Sequence, residues 1–173
     1  MSSLQAVTVP SPLGEFTIVC SPAGVVATVF DDGAPDDEVA RIERALEGRL
    51  HGGAADARTL AATARREARA YFTHRGRAFT VPADLALVGS GFSRRVLGTV
   101  ATIPYGELWT YGDVAGMAGS PRAARAAGSA LASCPIELFV PCHRVVHAGG
   151  TIGGYGRHED RKRWLLRHEG ATS

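Results

Sequence analysis

The stretch GDVAGMAGSPRAARAAGSALA, residues 112–132, contains two short runs of helix-forming residues on either side of a Gly-Ser-Pro turn. Ser120 followed by Pro121 is typical of a helix N-cap with proline in the first helical position. Two short helices joined by a tight turn predict a helix-turn-helix. The second run is mostly alanine and glycine, so its backbone can approach a DNA groove closely while presenting Arg122 and Arg125. The alternative is a packed core helix with two solvated arginines.

The segment PCHRVV, residues 141–146, follows the predicted helix-turn-helix and carries the strongest chemical signal. Cys142 beside His143 supplies a soft nucleophile and a base that titrates near neutral pH. Adjacent side chains usually diverge, so a bridging water or a backbone turn is needed to pass a proton between them. Glu169, in LLRHEG, is a candidate to orient and stabilise His143. The alternative is a buried cysteine beside a surface histidine.

Two tyrosines lie in turn-rich segments, Tyr111 in WTYG (109–112) and Tyr155 in GGYG (153–156). Aromatic faces stack on nucleobases, and a phenol can donate a hydrogen bond to a ring nitrogen, so both tyrosines are candidate walls of a base pocket. The glycines of the second segment predict a loop whose backbone approaches something closely or moves. Each tyrosine also has an ordinary structural interpretation.

Upstream, the chain predicts a small sheet followed by helices. Three β-rich runs, AVTV (6–9), EFTIVC (15–20) and VVATVF (25–30), are separated by the turn sequences SPLG and SPAG, which is typical of an antiparallel meander. Acidic residues followed by apolar residues at helical spacing predict a helix over 36–50, and a second helix is expected over 59–72.

The remaining segments complete an α+β fold class. An apolar stripe at helical spacing marks 92–103, a short extended run is expected at 136–141, and a final helix is expected at about 158–168. We predict an N-terminal domain of α/β type, a small antiparallel sheet with helices, at residues 1–85. A mostly helical C-terminal domain with the helix-turn-helix follows at residues 86–173.

The net charge of +2 is too small to indicate a nucleic-acid partner by itself, but its distribution is uneven. Residues 1–85 carry nine basic and eleven acidic side chains, for a net charge of −2. Residues 86–173 carry ten basic and six acidic side chains, for a net charge of +4. A polyanion is therefore expected to meet the second half.

The three cysteines, Cys20, Cys134 and Cys142, cannot all pair and show no C-x-x-C spacing. A disulfide framework and a structural zinc site are therefore disfavoured, and we expect no metal. No apolar run reaches the roughly 18 residues that span a bilayer. The first twenty residues lack the basic segment and apolar core of a secretory signal. We therefore expect a cytoplasmic protein without a membrane segment.

Taken together, these segments resemble the O6-alkylguanine-DNA alkyltransferase family. The match covers residues 90–170 almost continuously, through FSRRVLGTVATIPYGELWTYGDVA, GSPRAARAAGSALA, FVPCHRVV, GGTIGGYG and RKRWLLRHEG. SPLGEFTIV resembles the family's small N-terminal domain more weakly. The resemblance implies an RNase H-like N-terminal domain at 1–85 and a DNA-binding, alkyl-accepting domain at 86–173.

The resemblance also implies a reaction. Cys142 matches the cysteine that accepts the alkyl group, His143 the general base that acts through water, and Glu169 the acid that orients the base. The implied substrate is double-stranded DNA carrying O6-alkylguanine, with O4-alkylthymine as a second substrate, and the base is flipped out before transfer. The thioether product is not reversed, so each molecule acts once. A monomer without any cofactor is implied.

The resemblance assigns the remaining site residues to DNA and base binding. Tyr111 matches the tyrosine that helps to rotate the nucleotide out and donates toward guanine N3, and Arg125 matches the arginine that fills the gap in the base stack. The walls of the guanine pocket are matched by Val145, Tyr155 and Gly156. Further DNA contacts are expected from the same helix-turn-helix, at Arg122, Ala124 and Ala126.

This chain departs from the family pattern at two positions. Cys134 stands where the family usually has an asparagine that ties two backbone segments together, and a thiol makes only weak hydrogen bonds. Gly156 offers a backbone donor to the pocket but no hydroxyl. The first departure bears on coupling and rate, and the second on tolerance for bulky alkyl groups.

Two other functions compete with alkyl transfer. A relative that recognises alkylated DNA without reacting would lack the acceptor cysteine, which is present here as Cys142. A thiol hydrolase that uses Cys142 and His143 would need turnover and an oxyanion hole, and it would leave the helix-turn-helix unexplained. The fate of an alkyl group on Cys142 distinguishes these three functions.

Overall fold

The computed structural model describes residues 4–30, 35–46, 56–89 and 91–171. The chain divides into two compact units, one formed by Met1–Leu87 with Pro135–Phe139 and the other by Val88–Cys134 with Val140–Ser173. Among the helices in these ranges, none has the length and apolar character needed to cross a bilayer. A small antiparallel sheet with helices and a mostly helical second unit confirm the α+β class.

The first unit is built on the predicted meander. Strands β1 (Gln5–Ser11), β2 (Gly14–Ser21) and β3 (Gly24–Phe30) pair antiparallel in sequence order. Serine side chains form the turns, since the Leu13 N–H donates to the Ser11 hydroxyl and the Ala23 N–H to the Ser21 hydroxyl. Such local side-chain hydrogen bonds explain why each SP pair ends a strand.

Two helices follow the sheet in the first unit. Helix α1 spans Pro35–Ala45, so the helix predicted over 36–50 is confirmed as far as Ala45. Residues 47–50 of that prediction lie outside the described ranges. Helix α2 spans Ala57–Phe72, two residues longer at its start than predicted, because the Asp56 side chain caps it. Its buried face meets the sheet through Phe72, which packs edge-on against Phe16.

The segment Pro135–Phe139 belongs to the first unit and corrects a prediction. An extended run was expected at 136–141, but Leu138 has φ of +74° and the Phe139 N–H donates to the Glu137 carbonyl. Thr28 of β3 explains the bend, because its N–H and hydroxyl donate to the carbonyls of Pro135 and Glu137. Burial of Leu138 and Phe139 then stabilises a turn that the β-propensity of the sequence opposes.

The second unit contains the helix-turn-helix. Helix α3 spans Gly91–Val100, α4 spans Tyr111–Met117 and α5 spans Ala124–Ala132, and the three pack against one another. A capping box between Thr110 and Asp113 begins α4.

The predicted start of α5 is wrong. Ser120 is not its N-cap, because the Ala123 N–H donates to the Ser120 carbonyl and the four residues form a turn, with the helix starting at Ala124. Serine at the first position and proline at the second are equally typical of a β-turn, and here the turn wins.

Two short elements and a final helix complete the second unit. Strands β4 (Trp109–Thr110) and β5 (Val145–Val146) pair in parallel, which the sequence did not indicate. Helix α6 spans Glu159–His168, within a residue of the prediction. The β4–β5 pair brings the start of α4 beside the PCHRVV segment, and α6 packs against the turn that precedes β5.

Candidate active site

The PCHRVV segment folds as a buried turn. Cys142–Arg144 form one 3-10 turn, in which the Cys142 N–H donates to the Val140 carbonyl at 2.8 Å and the Arg144 N–H to the Pro141 carbonyl at 2.9 Å. All three side chains of the turn are buried. A nucleophile, a base and a cation are thus held together in the protein interior, where charges are weakly screened.

Glu169 is held at the end of helix α6 by a C-cap. Gly170 has φ of +70° and its N–H donates to the Arg167 carbonyl, while the Ala171 N–H donates to the Leu166 carbonyl. This is the Schellman pattern, which needs a glycine at the left-handed position. The sequence HEG therefore ends the helix at a defined residue and fixes where the Glu169 carboxylate points.

The carboxylate of Glu169 accepts four hydrogen bonds. His143 Nε2 lies 2.7 Å from Oε1, and Arg144 forks onto both oxygens, with Nε to Oε2 at 2.8 Å and a terminal nitrogen to Oε1 at 2.9 Å. The Gly106 N–H donates to Oε2 at 3.1 Å. The predicted pair of His143 and Glu169 is therefore formed, inside a larger network.

The IPYGE segment supports that network from a neighbouring loop. The Ile103 carbonyl accepts a hydrogen bond of 2.6 Å from the second terminal nitrogen of Arg144. The Tyr105 hydroxyl donates to the His168 carbonyl, and its ring lies 5.7 Å from the Arg144 guanidinium carbon. Together with Gly106, these residues explain why the loop packs against the end of α6.

The charges of the network determine the tautomer of His143. Burial alone raises the pKa of Glu169, but the hydrogen bonds and charges of His143 and Arg144 outweigh burial and hold that pKa well below its usual range. An ionised carboxylate only accepts hydrogen bonds, so His143 Nε2 carries the proton that it shares with Glu169.

The imidazole of His143 is neutral near neutral pH. Burial lowers the pKa of His143, the hydrogen bond and charge of Glu169 raise it in part, and the charges of Arg144 and Lys162 lower it further. With Nε2 protonated, Nδ1 is an acceptor, and it has no hydrogen-bond partner within the described part of the chain. His143 therefore makes no direct hydrogen bond to the Cys142 thiol, as expected for adjacent side chains.

Lys162 is a fully buried lysine beside the same turn and was not predicted from the sequence. Its Nζ donates to the Val145 carbonyl and lies 5.8 Å from the centre of the Tyr111 ring. Burial lowers the pKa of Lys162 to about 8, against opposing contributions from Cys142 and Glu159. Its positive charge lies near the nucleophile, where it favours a thiolate.

Tyr111, the first residue of α4, lies at the edge of an open cavity of about 630 Å³. Burial, and to a smaller degree the charge of Cys142, raise the pKa of the Tyr111 phenol, so it stays a proton donor. The cavity is lined by Tyr111, Ala124, Arg125, Gly128, Ser129, Ala132, His147, Gly154, Gly156 and Arg157. Residues of α4, α5 and the glycine loop thus meet around one space large enough for a nucleobase.

The structure brings only part of the predicted binding set to this cavity. Ala124, Arg125 and Gly156 line it with Tyr111, whereas Val145 and Tyr155 are buried and do not. On α5, Ala127, Ala130 and Leu131 are buried, while Arg125 and Ala126 are exposed, as is Arg122 in the turn before the helix. One face of α5 is therefore core and the other is open.

Sequence reasoning missed Arg144 and Lys162 because arginine and lysine are usually surface residues. The signal for Arg144 was its place inside PCHRVV, next to a predicted base whose partner is acidic. For Lys162 the signal was weaker: it is the one lysine in a chain that otherwise uses arginine. In the described ranges, no three His, Cys, Asp or Glu side chains group closely enough to hold a metal ion.

Comparison with known proteins agrees with this geometry. A family model described as the DNA-binding domain of 6-O-methylguanine DNA methyltransferase matches residues 91–171. The methylated-DNA–protein-cysteine methyltransferase of Shigella flexneri is 51% identical over 82 residues, which are 47% of this chain and 48% of that protein. The protein of the same name from Methanosarcina acetivorans is 43% identical over 108 residues, 62% of this chain and 68% of its own length. The chain spans about half the length of the first curated relatives that it matches.

Solved structures extend the similarity to both units. The crystal structure of Mycobacterium tuberculosis O6-methylguanine methyltransferase aligns with a TM-score of 0.76 and 31% identity, over 98% of this chain and 94% of that one. A structure of the Mycobacterium tuberculosis protein in complex with DNA aligns with a TM-score of 0.73 and 32% identity, over 96% and 94%. The chain therefore belongs to the family of methylated-DNA–protein-cysteine methyltransferases, the alkyltransferase family that its motifs resemble.

Proposed function

We propose that this chain repairs alkylated DNA by direct reversal, with Cys142 taking the alkyl group from O6-alkylguanine, and from O4-alkylthymine, once per molecule. The observation that carries the proposal is the buried turn in which Cys142 precedes a neutral His143 that is hydrogen-bonded at 2.7 Å to an ionised Glu169. A nucleophile, its base and an orienting acid are the parts that nucleophilic catalysis requires.

The reaction balances with these groups alone. The Cys142 proton passes through a water to His143 Nδ1, which leaves a thiolate and an imidazolium. Sγ forms a bond to the alkyl carbon as the bond between that carbon and O6 breaks, and the electron pair stays on guanine. Guanine N3 takes a proton from the Tyr111 phenol, and the proton held by His143 then returns through water to the tyrosinate, so that neutral guanine, a phenol and a neutral imidazole remain. No cofactor enters, and the product is a stable thioether.

The cavity at Tyr111 suits an extruded base. Base chemistry on duplex DNA requires the nucleotide to leave the stack, at a cost of a few kcal/mol that a residue filling the gap reduces. The exposure of Arg125 on the open face of α5 supports that role for it. Gly156 lines the cavity, whereas Val145 and Tyr155 are buried and do not, so their proposed role as pocket walls requires the cavity to deepen when a base enters.

Duplex DNA is the proposed partner of α5. Exposed Ala126 and half-buried Ala124 present a helix surface with little side-chain bulk, which suits close backbone contact with a groove, and exposed Arg122 lies in the turn just before it. The net charge of +4 on residues 86–173 supports attraction to phosphates. The related Mycobacterium tuberculosis structure in complex with DNA supports the same partner, and we propose that this chain binds as a monomer.

Intact-protein mass spectrometry tests the proposal. The protein is incubated with an oligonucleotide duplex that carries one O6-methylguanine, with the unmodified duplex and the Cys142→Ser variant as controls. We expect a lasting mass gain of one CH2, located on Cys142 by peptide mapping and absent from both controls. Tight binding without a mass gain would instead indicate a damage-recognition protein, and an adduct that clears with turnover would indicate a hydrolase.

A further inference from the structure

All three guanidinium nitrogens of Arg144 donate hydrogen bonds within the network around His143 and Glu169. Two of its nitrogens bond the Glu169 carboxylate at 2.8 and 2.9 Å, and the third donates to the Ile103 carbonyl at 2.6 Å. The residue is only 5% exposed. A buried arginine with a complete set of partners is costly to place, so its position calls for a physical role.

A histidine that faces a carboxylate alone is driven toward the imidazolium form. The negative charge raises the pKa of the ring, and an imidazolium donates from both nitrogens, so it has no acceptor left for a thiol proton. In this site the positive fork of Arg144 is bonded to the same two oxygens that face His143. The carboxylate still orients the ring, while the guanidinium bonded to both of its oxygens offsets part of the negative charge that the ring faces.

We propose that Arg144 is a positioning residue of the active site, which compensates the Glu169 carboxylate so that His143 keeps a neutral ring with Nδ1 open to accept the Cys142 proton. Glu169 then acts as an orienting group more than as a charge partner. The proposed catalytic group therefore consists of Cys142, His143 and Glu169, together with Arg144 from the same turn as Cys142. This inference deepens the proposed function and rests on it for its kinetic test.

The other positive charges around His143 either lower its pKa, as Arg144 does, or are hydrogen-bonded to other groups. From α6, Lys162 is a second positive charge that lowers the pKa of His143, and Glu169 is the negative charge that raises it. From α3, which packs against the turn, the Arg94 and Arg95 side chains donate to the carbonyls of Val88 and Ala118. Arg144 is the cation bonded directly to the carboxylate that His143 shares.

The first test is a pH titration of the His143 ring by NMR, in the wild type, Arg144→Met and Arg144→Lys. We expect Arg144→Met to raise the pH at which the His143 ring titrates. Arg144→Lys keeps the positive charge but cannot bond both carboxylate oxygens in the same way, so its titration should lie between those of the wild type and Arg144→Met. Arg163→Met is the matched control, because it removes an exposed arginine from α6 without touching the network. An unchanged titration in Arg144→Met, or a shift of equal size in Arg163→Met, would overturn the proposal.

The second test is the single-turnover rate of alkyl transfer from O6-methylguanine DNA, followed between about pH 5 and 8. General-base catalysis contributes roughly 10²- to 10⁴-fold, so partial protonation of His143 in Arg144→Met should lower the rate about tenfold at neutral pH, with recovery as pH rises. An equal loss at every pH would show a purely structural role and refute the inference.

The two tests separate the possible failures. If wild-type protein takes no alkyl group from DNA, the proposed function fails, yet the NMR titration still reports whether Arg144 sets the protonation of His143. If Arg144→Met does not fold, the comparison of wild type with Arg144→Lys decides. A titration identical to the wild type in the lysine variant, together with a slower transfer at all pH values, would then contradict the proposal.

Discussion

A Cβ atom built on Gly153 would lie 2.2 Å from the phenol oxygen of Tyr111 and 2.9 Å from two of its ring carbons. The backbone of the glycine loop therefore packs directly against the edge of this ring. On another side the His147 ring lies 5.0 Å away, centre to centre. Tyr111 is thus held by a loop that can have no side chain at the point of contact.

Gly153→Ala should displace Tyr111 and slow alkyl transfer from duplex DNA by about tenfold or more. A displacement of about 1 Å in a group that positions the substrate can lower the rate by up to about 100-fold. Gly116→Ala, on the same helix as Tyr111 but outside the cavity lining, is the control, since its added Cβ would meet nothing within 4 Å in the described structure and should slow transfer far less. Single-turnover rates of the two variants check this. Equal rates would show that the loop moves away before the base enters.

Arg125→Ala should slow repair of duplex DNA much more than reaction with free O6-benzylguanine, since only the duplex needs its base stack refilled. Arg122→Ala, in the turn just before the same helix, is the matched variant. If Arg122 contacts phosphate, its loss should weaken binding of all sequences and reduce the salt dependence of affinity by about one charge. Equal slowing of both reactions in Arg125→Ala would place this arginine in the fold or the pocket wall.

Glu169 should make folding sensitive to acid. Its pKa in the folded protein lies below its unfolded value, so its contribution to stability is complete above the unfolded pKa of about 4.3 and is lost as pH falls through the folded pKa. Glu169→Gln leaves Arg144 buried beside a neutral group, which should destabilise the fold by about 3–5 kcal/mol at neutral pH and flatten the acid dependence. Chemical denaturation at several pH values checks this, with exposed Glu107→Gln as the control.

Lys162→Met should separate stability from activity. Removing a fully buried ammonium takes away a desolvation cost, so the melting temperature should hold or rise despite the lost hydrogen bond to Val145. The gain over wild type should shrink as pH rises from about 8, because the folded wild-type lysine deprotonates there while the unfolded one stays charged to about 10.4. Alkyl transfer should slow, since the thiolate loses a nearby positive charge. A lower melting point with an unchanged rate would contradict both expectations.

Cys134→Asn tests the departure from the family pattern. Cys134 is half-buried just after α5, with its N–H donating to the Leu131 carbonyl. An asparagine amide can bond neighbouring backbone groups that a thiol leaves weakly paired, and each lost partner costs about 1–3 kcal/mol when it is buried. We expect a higher melting temperature and an equal or faster transfer, with Cys134→Ser as the matched variant of smaller hydrogen-bonding capacity. A lower melting point together with slower transfer would show that the local backbone has adapted to cysteine.

Local signals in the sequence were enough to predict the elements whose boundaries depend on neighbouring residues. The strands that begin near Gln5, Gly14 and Gly24 follow directly from their serine turns, and the end of α6 follows from the glycine after Glu169. His143 and Glu169 were paired correctly because their motifs carry complementary chemistry.

Apart from the start of α5, which a local turn decides, the features that escaped prediction depend on contacts far along the chain. The bend at Leu138 exists because Thr28 bonds the carbonyls around it, and the β4–β5 pair joins segments that look like loops. Arg144 and Lys162 are buried against the preference of their residue types, since partners on other elements satisfy their charges. Periodicity and propensity describe a segment by itself, so neither can report such partners.

The sequence separation of 25 between Arg144 and Glu169 has a consequence for the order in which the protein folds as it is made. A ribosome releases the turn Cys142–Arg144 well before it releases the carboxylate that both His143 and Arg144 require. Until α6 forms and its glycine cap closes, Arg144 and His143 lack the carboxylate that stabilises them in the folded interior. The nascent second unit is therefore expected to fold only after α6 has been released, with the Cys142 thiol unactivated until that helix is in place.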